Sequence, residues 1–591
     1  MRKNLAAGVL EQRVSVPQLN PGSWLLAVPI GAYALLVLPF VFHDVVGEPD
    51  LERMVMAVIY GASSGLQAAA GYHYGLEVSF GYYWAQYHLL PAAVLLDSSA
   101  LIAAVNFIGY ASAVLAVGAL ALYVGRLFGV VTAVVTCVLF GFSPVFLDLG
   151  TSGHPQVPGL ALTLIGAWLL TYATDIGLPG ARRVFAGVAA FVALSIALTM
   201  RGDFILAFPF ITVIAGEQEL RSRRAWLQAA AWRLLVLVTA FAVFVAIQAH
   251  FYSEPGGNAG FAAKFFATFY KMDTVPRGLL VVVLCTGVAT MAAFVALLFS
   301  RWARALPLVN VIALLALAVP SLAFWLPNST PGRHLILVTL AVALAIALIL
   351  TRAGRAAPVS RGRFAVQGAP APREEGNVLE KPDTRGTGVL RALSVRPPAG
   401  LRPQWAIAIA VLLVIADQAI AEVTHGPLER HYQWTFPLLT ARRATQSVPM
   451  GTFPLDHEAK QDLFMMLRNE GRAFAHTCSG KVLAFAEEPH YMMLSLVERD
   501  RSMRFTSVDV GDTKVIQARG ARCSVDFVEK AAAWHHDALR EFLEAGYDAG
   551  WPIYFQESRR NPSDRTLVPA ARRYCIEKAA DGRCAAAAAA G

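Results

Sequence analysis

Trp24–Phe42 reads WLLAVPIGAYALLVLPFVF, an uncharged run that ends against His43 and Asp44. A hydrocarbon core about 30 Å thick is crossed by roughly 20 mostly apolar helical residues, so this block has the length of a membrane span. Comparable blocks recur near 100–124, 128–147, 157–174, 184–200, 204–216, 234–250, 278–299, 305–326, 335–351 and 405–421. The predicted fold class is therefore a polytopic α-helical membrane protein with about eleven transmembrane helices. Composition agrees, since 56% of the 591 residues are hydrophobic and 15% are charged, against about 25% charged in a soluble domain. Arg2, Lys3 and Arg13 precede the first block as they would in a signal peptide. The block is long and lacks a small-residue cleavage site, so it reads as an uncleaved first span.

The formal charge of +9 does not point to nucleic acid, because most arginines sit in short loops between spans. With the N-terminus inside, the inner loops hold Arg126, then Arg182 and Arg183, then Arg221, Arg223, Arg224 and Arg233, then Arg301 and Arg304. This is the bias expected of cytoplasmic loops. The outer loops are then 43–99, 148–156, 201–203, 251–277 and 327–334, and the expected location is a bacterial-type plasma (inner) membrane. Residues 352–404 are rich in Pro, Gly and Arg without periodicity and read as a disordered cytoplasmic linker. The span 405–421 carries Asp417, an ionisable group at membrane depth, and leads the chain outward again.

The remainder, 422–591, reads as an extracytoplasmic soluble α/β domain. Helices are expected over 457–470 and 531–545. Strands are expected at 481–485, 504–510, 513–517 and 553–555. Cys478, Cys523, Cys575 and Cys584 lie here and allow two disulfides in three pairings, which favours an oxidising compartment. Cys137 and Cys285 lie in apolar spans. The multi-span part is 1–351.

The first outer loop is far longer than a connection requires, and such loops tend to be functional. Asp44, Glu48, Asp50 and Glu52 cluster where the first span ends. Pro49 suits the first turn of a helix, and Leu51, Met54, Val55, Val58 and Ile59 follow at helical spacing, so a surface helix starting there is expected. Asp50 and Arg53 share a face of it. An ionised Asp50 can accept a proton from an attacking hydroxyl, and Arg53 can hold a phosphate. Acids are equally common at helix starts for dipole reasons alone.

The stretch from Asp50 and Arg53 to Ser64 and Gly65 resembles the first outer loop of type C (GT-C) membrane glycosyltransferases. It is most similar to bacterial protein mannosyltransferases and aminoarabinose lipid A transferases. That family has an Asp-Glu pair after the first span, an Arg three residues beyond the Asp and a Gly about fifteen beyond. Here Leu51 replaces the Glu, and Ser79-Phe80-Gly81-Tyr82-Tyr83-Trp84 stands where the family has Lys-Pro-Pro-Leu. The resemblance implies Asp50 as the catalytic base, with Asp44 and Glu48 as substitutes. It also implies Arg53 near a lipid phosphate, a polyprenyl-phosphate sugar donor and inversion at the sugar carbon.

Other outer residues are candidates for substrate binding. His154 lies in 148–156, Arg201 in 201–203, Lys264 in 251–277, and Arg333 and His334 precede the span at 335–351. Basic residues are disfavoured outside, so an anionic headgroup gives Arg201 and Arg333 a role. Snorkelling to the interface is the bland reading. The acids at 44–52 could chelate a divalent cation, and no His/Cys cluster has zinc spacing. The expected partners are a polyprenyl-phosphate sugar, membrane lipid and an acceptor that is lipid, glycan or protein. The competing reading is a transporter or flippase of a lipid-linked or small polar substrate, which predicts ionisable groups near mid-span. A third reading, a non-catalytic scaffold with a sensor tail, leaves the Asp50–Arg53 pair without a role.

Overall fold

The structure is a computed structural model. It describes residues 23–41, 79–96, 98–216, 219–251, 275–326, 332–355 and 402–432, with five strands between 481 and 570. The expected surface helix at Pro49, the tail helices 457–470 and 531–545, the strand 513–517 and linker residues 356–401 lie outside these. Among the described residues, six helices are long and apolar enough to cross a membrane, or eight if two bent pairs each form one crossing. The protein is a multi-pass membrane protein.

The chain opens with α1 (Ala27–Val37). Two short helices follow the first loop, α2 (Phe80–Leu89) and α3 (Ala92–Leu96), and then comes α4 (Ser98–Phe128). The expected single span at 128–147 is a bent pair, α5 (Val130–Gly141) and α6 (Pro144–Ser152), meeting at 69°. Ser143 is extended, at φ −66° and ψ 146°, as the residue before a proline prefers, so the helix breaks there. Next come α7 (Gln156–Ala173) and α8 (Gly180–Met200), which pack along each other.

The expected span at 204–216 is instead a 3-10 turn, Gly202–Ala207, running into α9 (Phe208–Val213). Twelve residues in those two geometries rise about 20 Å, short of the bilayer core. The chain beyond it is held by Arg233. The sequence places this residue in a loop, but it is buried inside α10 (Arg223–Phe251). Its guanidinium donates to the Ile214 carbonyl at 2.5 Å and pairs with Glu219. A buried cation persists only when paired in this way.

The expected span at 278–299 also breaks, into α11 (Val275–Thr286) and α12 (Val288–Leu298), bent by 99°. Gly287 between them has φ +104°, a conformation costly for any side chain. Then α13 (Leu308–Trp325) leads to a 3-10 turn, Gly332–Leu335, and to α14 (Ile336–Arg355). Residues 334–350 are all buried. A helix apolar on every side belongs in the middle of a bundle, and α14 is ringed by α5, α11, α12, α13 and α15 (Pro403–Tyr432). It extends past 351, so the first residues assigned to the linker are helical. Exposed apolar residues on α10, such as Leu235 and Val238, face outward where lipid would be.

Asp417, on α15, is a structural residue. Its carboxylate accepts from the backbone N–H of Ala289 at 2.6 Å and of Thr290 at 3.2 Å, and from the Thr290 hydroxyl at 2.5 Å. It therefore caps α12 at the break. In hydrocarbon there is no water for the first N–H groups of a half-helix, so a carboxylate from another span satisfies them. A side chain on Gly287 would collide with Asp417, since a Cβ there overlaps the carboxylate.

The five strands form one sheet of order β2-β1-β3-β4-β5: β1 (Lys481–Ala486), β2 (Arg504–Ser507), β3 (Ala521–Glu529), β4 (Ile553–Arg560) and β5 (Leu567–Ala570). The first four pair in parallel and β5 is antiparallel to β4. Parallel neighbours need crossovers of about a dozen residues or more, and the connections 487–503, 508–520 and 530–552 are long enough. Strands at β1, β2 and β4 match the sequence expectation. β3 does not figure in it, although Cys523, Val525 and Phe527 alternate with Ser524 and Asp526.

Replacing Asp417 with Ala strands the Ala289 and Thr290 N–H groups, which costs about 1–3 kcal/mol. Gly287→Ala is expected to cost a similar amount through strain. Thermal melting of the purified protein should show both losses. The double variant should lose less than their sum, because both changes break one junction.

Candidate functional site

Four elements meet at one end of α14. The first is the exit of α8. Its last hydrogen bond runs from Arg201 N to Ala197 O. Arg201 then turns extended, at φ −157° and ψ 111°, so Arg201 and Asp203 leave the helix together. The second is the start of α7, where Gln156 follows His154 and Pro155. His154 Nδ1 accepts the Gln156 backbone N–H at 3.3 Å, satisfying one of the free N–H groups at that helix start. The third is the turn Gly332–Leu335, which presents His334. The fourth is the end of α13, where Trp325 stacks on the His334 ring at 3.9 Å and 20°.

Their polar atoms converge. Gln156 Nε2 donates to Asp203 Oδ2 at 3.3 Å and lies 3.1 Å from His334 Nδ1. Arg201 Nε donates to Asp203 Oδ2 at 3.5 Å, and Arg201 Nη2 lies 3.4 Å from His334 Nδ1. His334 Nδ1 is also 3.5 Å from Asp203 Oδ2. Gln156, Arg201 and Asp203 thus all converge on His334 Nδ1. Gln156, Arg201 and His334 are buried, at 1%, 6% and 7% exposure. Burial pushes the Asp203 carboxyl up, but the Arg201 guanidinium and His334 outweigh it and hold the group below the usual carboxylate range. Asp203 is therefore ionised, and the pair with Arg201 is close to neutral. Arg201 spends Nε and Nη2 on the cluster, and Nη1 has no partner among the described residues.

Of the residues singled out in the sequence, Arg201 and His334 meet here, and His154 stands one helix turn away through Gln156. Arg333 precedes His334 in the same turn, and its side chain is outside the described residues. Asp44, Glu48, Asp50, Arg53 and Lys264 are outside them as well. Asp203, Gln156 and Trp325 were not expected. Asp203 carried a signal, its place beside Arg201 in a break between apolar runs; Gln156 and Trp325 carried none.

The first outer loop returns next to this site. Tyr82, on α2, is buried and its hydroxyl donates to the Gly153 carbonyl. Gly153 is left-handed at φ +66° and sits against Val105. Tyr33, on α1, sets its hydroxyl against Gly150. The described end of the loop that carries Asp50 is thus tied to Gly153 through Tyr82. Among the described residues no group of three or more His, Cys, Asp or Glu side chains could hold a metal ion.

Residues 90–250 match the model of a family described as dolichyl-phosphate-mannose-protein mannosyltransferase. The match takes in Gln156, Arg201 and Asp203 and covers less than half of the chain. The fold is similar to that of ArnT from Cupriavidus metallidurans in its structure bound to undecaprenyl phosphate. The TM-score is 0.52 at 13% identity, over 91% of this chain and 94% of that one. A weaker likeness, TM-score 0.44 at 13% identity, is to the Archaeoglobus fulgidus oligosaccharyltransferase, over 82% of this chain and 64% of that one. No curated protein sequence matches the chain. The chain is thus similar in fold to type C membrane glycosyltransferases.

Replacing Arg201 with Ala leaves Asp203 charged and nearly buried, at a cost on the order of 3 kcal/mol. Arg201→Ala combined with Asp203→Ala should recover part of that loss in thermal melting. The folded Asp203 value is depressed, so its stabilisation is complete above the unfolded carboxylate value of about 4 and fades as pH falls through the lower folded value. The melting difference between the wild type and Asp203→Asn should shrink in that acid window.

Proposed function

We propose that this protein is a membrane glycosyltransferase that moves a sugar from a polyprenyl-phosphate donor to an acceptor hydroxyl on the extracytoplasmic face, with inversion. The observation that carries this reading is the Arg201 guanidinium, buried at the end of the central helix with one nitrogen uncommitted among the described residues. A buried guanidinium suits an anion held where water is scarce, and the polyprenyl tail would lie among the apolar helices. The protein whose fold is similar over nine-tenths of this chain was solved with undecaprenyl phosphate, which supports a lipid phosphate as the partner here.

In this reading Asp50 takes the proton from the acceptor hydroxyl as it attacks the anomeric carbon. The bond to the phosphate oxygen breaks as the new glycosidic bond forms, and polyprenyl phosphate leaves. Asp44 and Glu48 are the substitutes for Asp50. Arg53, Arg201, Arg333, His334 and Lys264 offset the leaving phosphate's charge or bind the substrate, and His154 braces the Gln156 turn. The tie of the first loop's returning end to Gly153 through Tyr82 supports its approach to the Arg201 cluster. The N-terminus is cytoplasmic, residues up to 355 form the catalytic part, and 356–402 form a cytoplasmic linker. Residues 422–591 form an outer α/β domain around the five-stranded sheet, in a plasma (inner) membrane.

A flippase needs ionisable groups that work at mid-span. Among the described residues, the two buried in unbroken membrane-length helices, Arg233 and Asp417, are both tied to backbone groups.

Asp50→Asn should lower sugar transfer by about 100-fold or more in membranes supplied with a labelled polyprenyl-phosphate sugar, at unchanged protein level. Undiminished transfer removes Asp50 as the base. Failure of the wild type to consume any such donor removes the transferase reading.

A further inference from the structure

Beside the Arg201 cluster lies a small cleft of about 10 Å3, lined by Gln156, Asp203, His334 and Trp325 with Phe204 and Leu206 among its apolar wall. That is room for about one water-sized group, so it fits a single hydroxyl and not a whole ligand. Two buried oxygens of its lining, Gln156 Oε1 and Asp203 Oδ1, have no hydrogen-bond partner among the described residues. The Gln156 amide cannot be turned to relieve this, because Oε1 would then face the Asp203 carboxylate that Nε2 now meets at 3.3 Å. A buried acceptor without a donor costs about 1–3 kcal/mol, so two in one cleft mark a place built for a donor.

The charge around the cleft selects which donor. A phosphate is excluded, since it would meet two acceptors. An ammonium is disfavoured by Arg201, whose Nε is 3.5 Å from Asp203 Oδ2 and already offsets that carboxylate. A neutral hydroxyl fits, because it donates to one oxygen and needs no compensating charge. Arg201 and Asp203 are in contact, so one molecule can place an anion on Arg201 and a hydroxyl in the cleft.

We propose that Gln156 Oε1 and Asp203 Oδ1 form a subsite that accepts one ring hydroxyl of the transferred sugar and so reads its identity. This rests on the transferase reading above, and it makes Gln156 a specificity-determining residue. An ordered water bridging the two oxygens is the competing occupant.

The test begins with wild-type enzyme and a panel of polyprenyl-phosphate hexoses and pentoses. Should none be consumed, the transferase reading fails and the subsite falls with it. For a donor that is consumed, the singly deoxygenated forms at each ring hydroxyl are compared with the parent on the wild type, Gln156→Leu and Gln156→Met. One deoxy donor should lose about 10–100-fold in kcat/KM on the wild type. The same deletion should cost less than about threefold on the Gln156 variants, because the missing hydroxyl and the missing carbonyl are one interaction. If no deoxy donor loses more than about threefold on the wild type, water fills the cleft and the proposal is wrong, whether or not the variants fold. If every deoxygenation costs the variants as much as it costs the wild type, Gln156 serves only to position His334, and the proposal is likewise overturned.

Discussion

Inside hydrocarbon no water is available to a peptide N–H or carbonyl, so every interruption of a helix must be satisfied by the protein itself. That constraint shapes this bundle. Where α11 gives way to α12 at Gly287, the first N–H groups of the new helix point at Asp417 on α15. Where the chain goes extended after α9, the Ile214 carbonyl is met by Arg233. Where α7 starts, His154 receives the Gln156 N–H. Each of these polar side chains would be costly alone among apolar helices, and each is matched to a break that would be costly without it.

The Arg201–Asp203–His334–Gln156 cluster follows the same rule but leaves a remainder. Its charges nearly cancel and its nitrogens share one centre, yet Arg201 Nη1, Gln156 Oε1 and Asp203 Oδ1 are left without a described partner. A structural cap such as Asp417 is used up by the backbone it meets. A cluster with a spare donor on one side and spare acceptors on the other is what the proposed sugar-phosphate donor, with its anion and hydroxyl groups, would require. Trp325, stacked on His334, keeps the ring oriented by packing.

The membrane class and most of the spans were legible, because uncharged runs of bilayer length seldom occur in chains that stay in water. The two bent pairs were not, because hydropathy averaged over 128–147 or 278–299 does not register one left-handed glycine or one proline after an extended serine. Arg233 reads as the end of a basic loop until its partner Glu219 is placed beside it. Asp417 pairs with Thr290 across more than a hundred residues, a relation that periodicity does not encode. Arg201 and Arg333 stand out by the rule that basic residues on the outer side need a reason, and the structure sets Arg201 beside His334. Gln156 was missed because it is neutral, and Trp325 because an aromatic near a span end is expected at the interface anyway. β3 was legible in its alternation, but a glycine-containing stretch before it and a helical pattern after it mask its ends.

The central claim is that the guanidinium of Arg201 and the carboxylate of Asp50 address the same lipid-linked molecule. A cryo-electron microscopy map of the full chain in lipid nanodiscs, with a polyprenyl phosphate added, examines that directly. The account predicts the phosphate within hydrogen-bond reach of Arg201 and Asp50 lining the same enclosed groove. A phosphate seated elsewhere, or an Asp50 side chain pointing into bulk solvent, would contradict it.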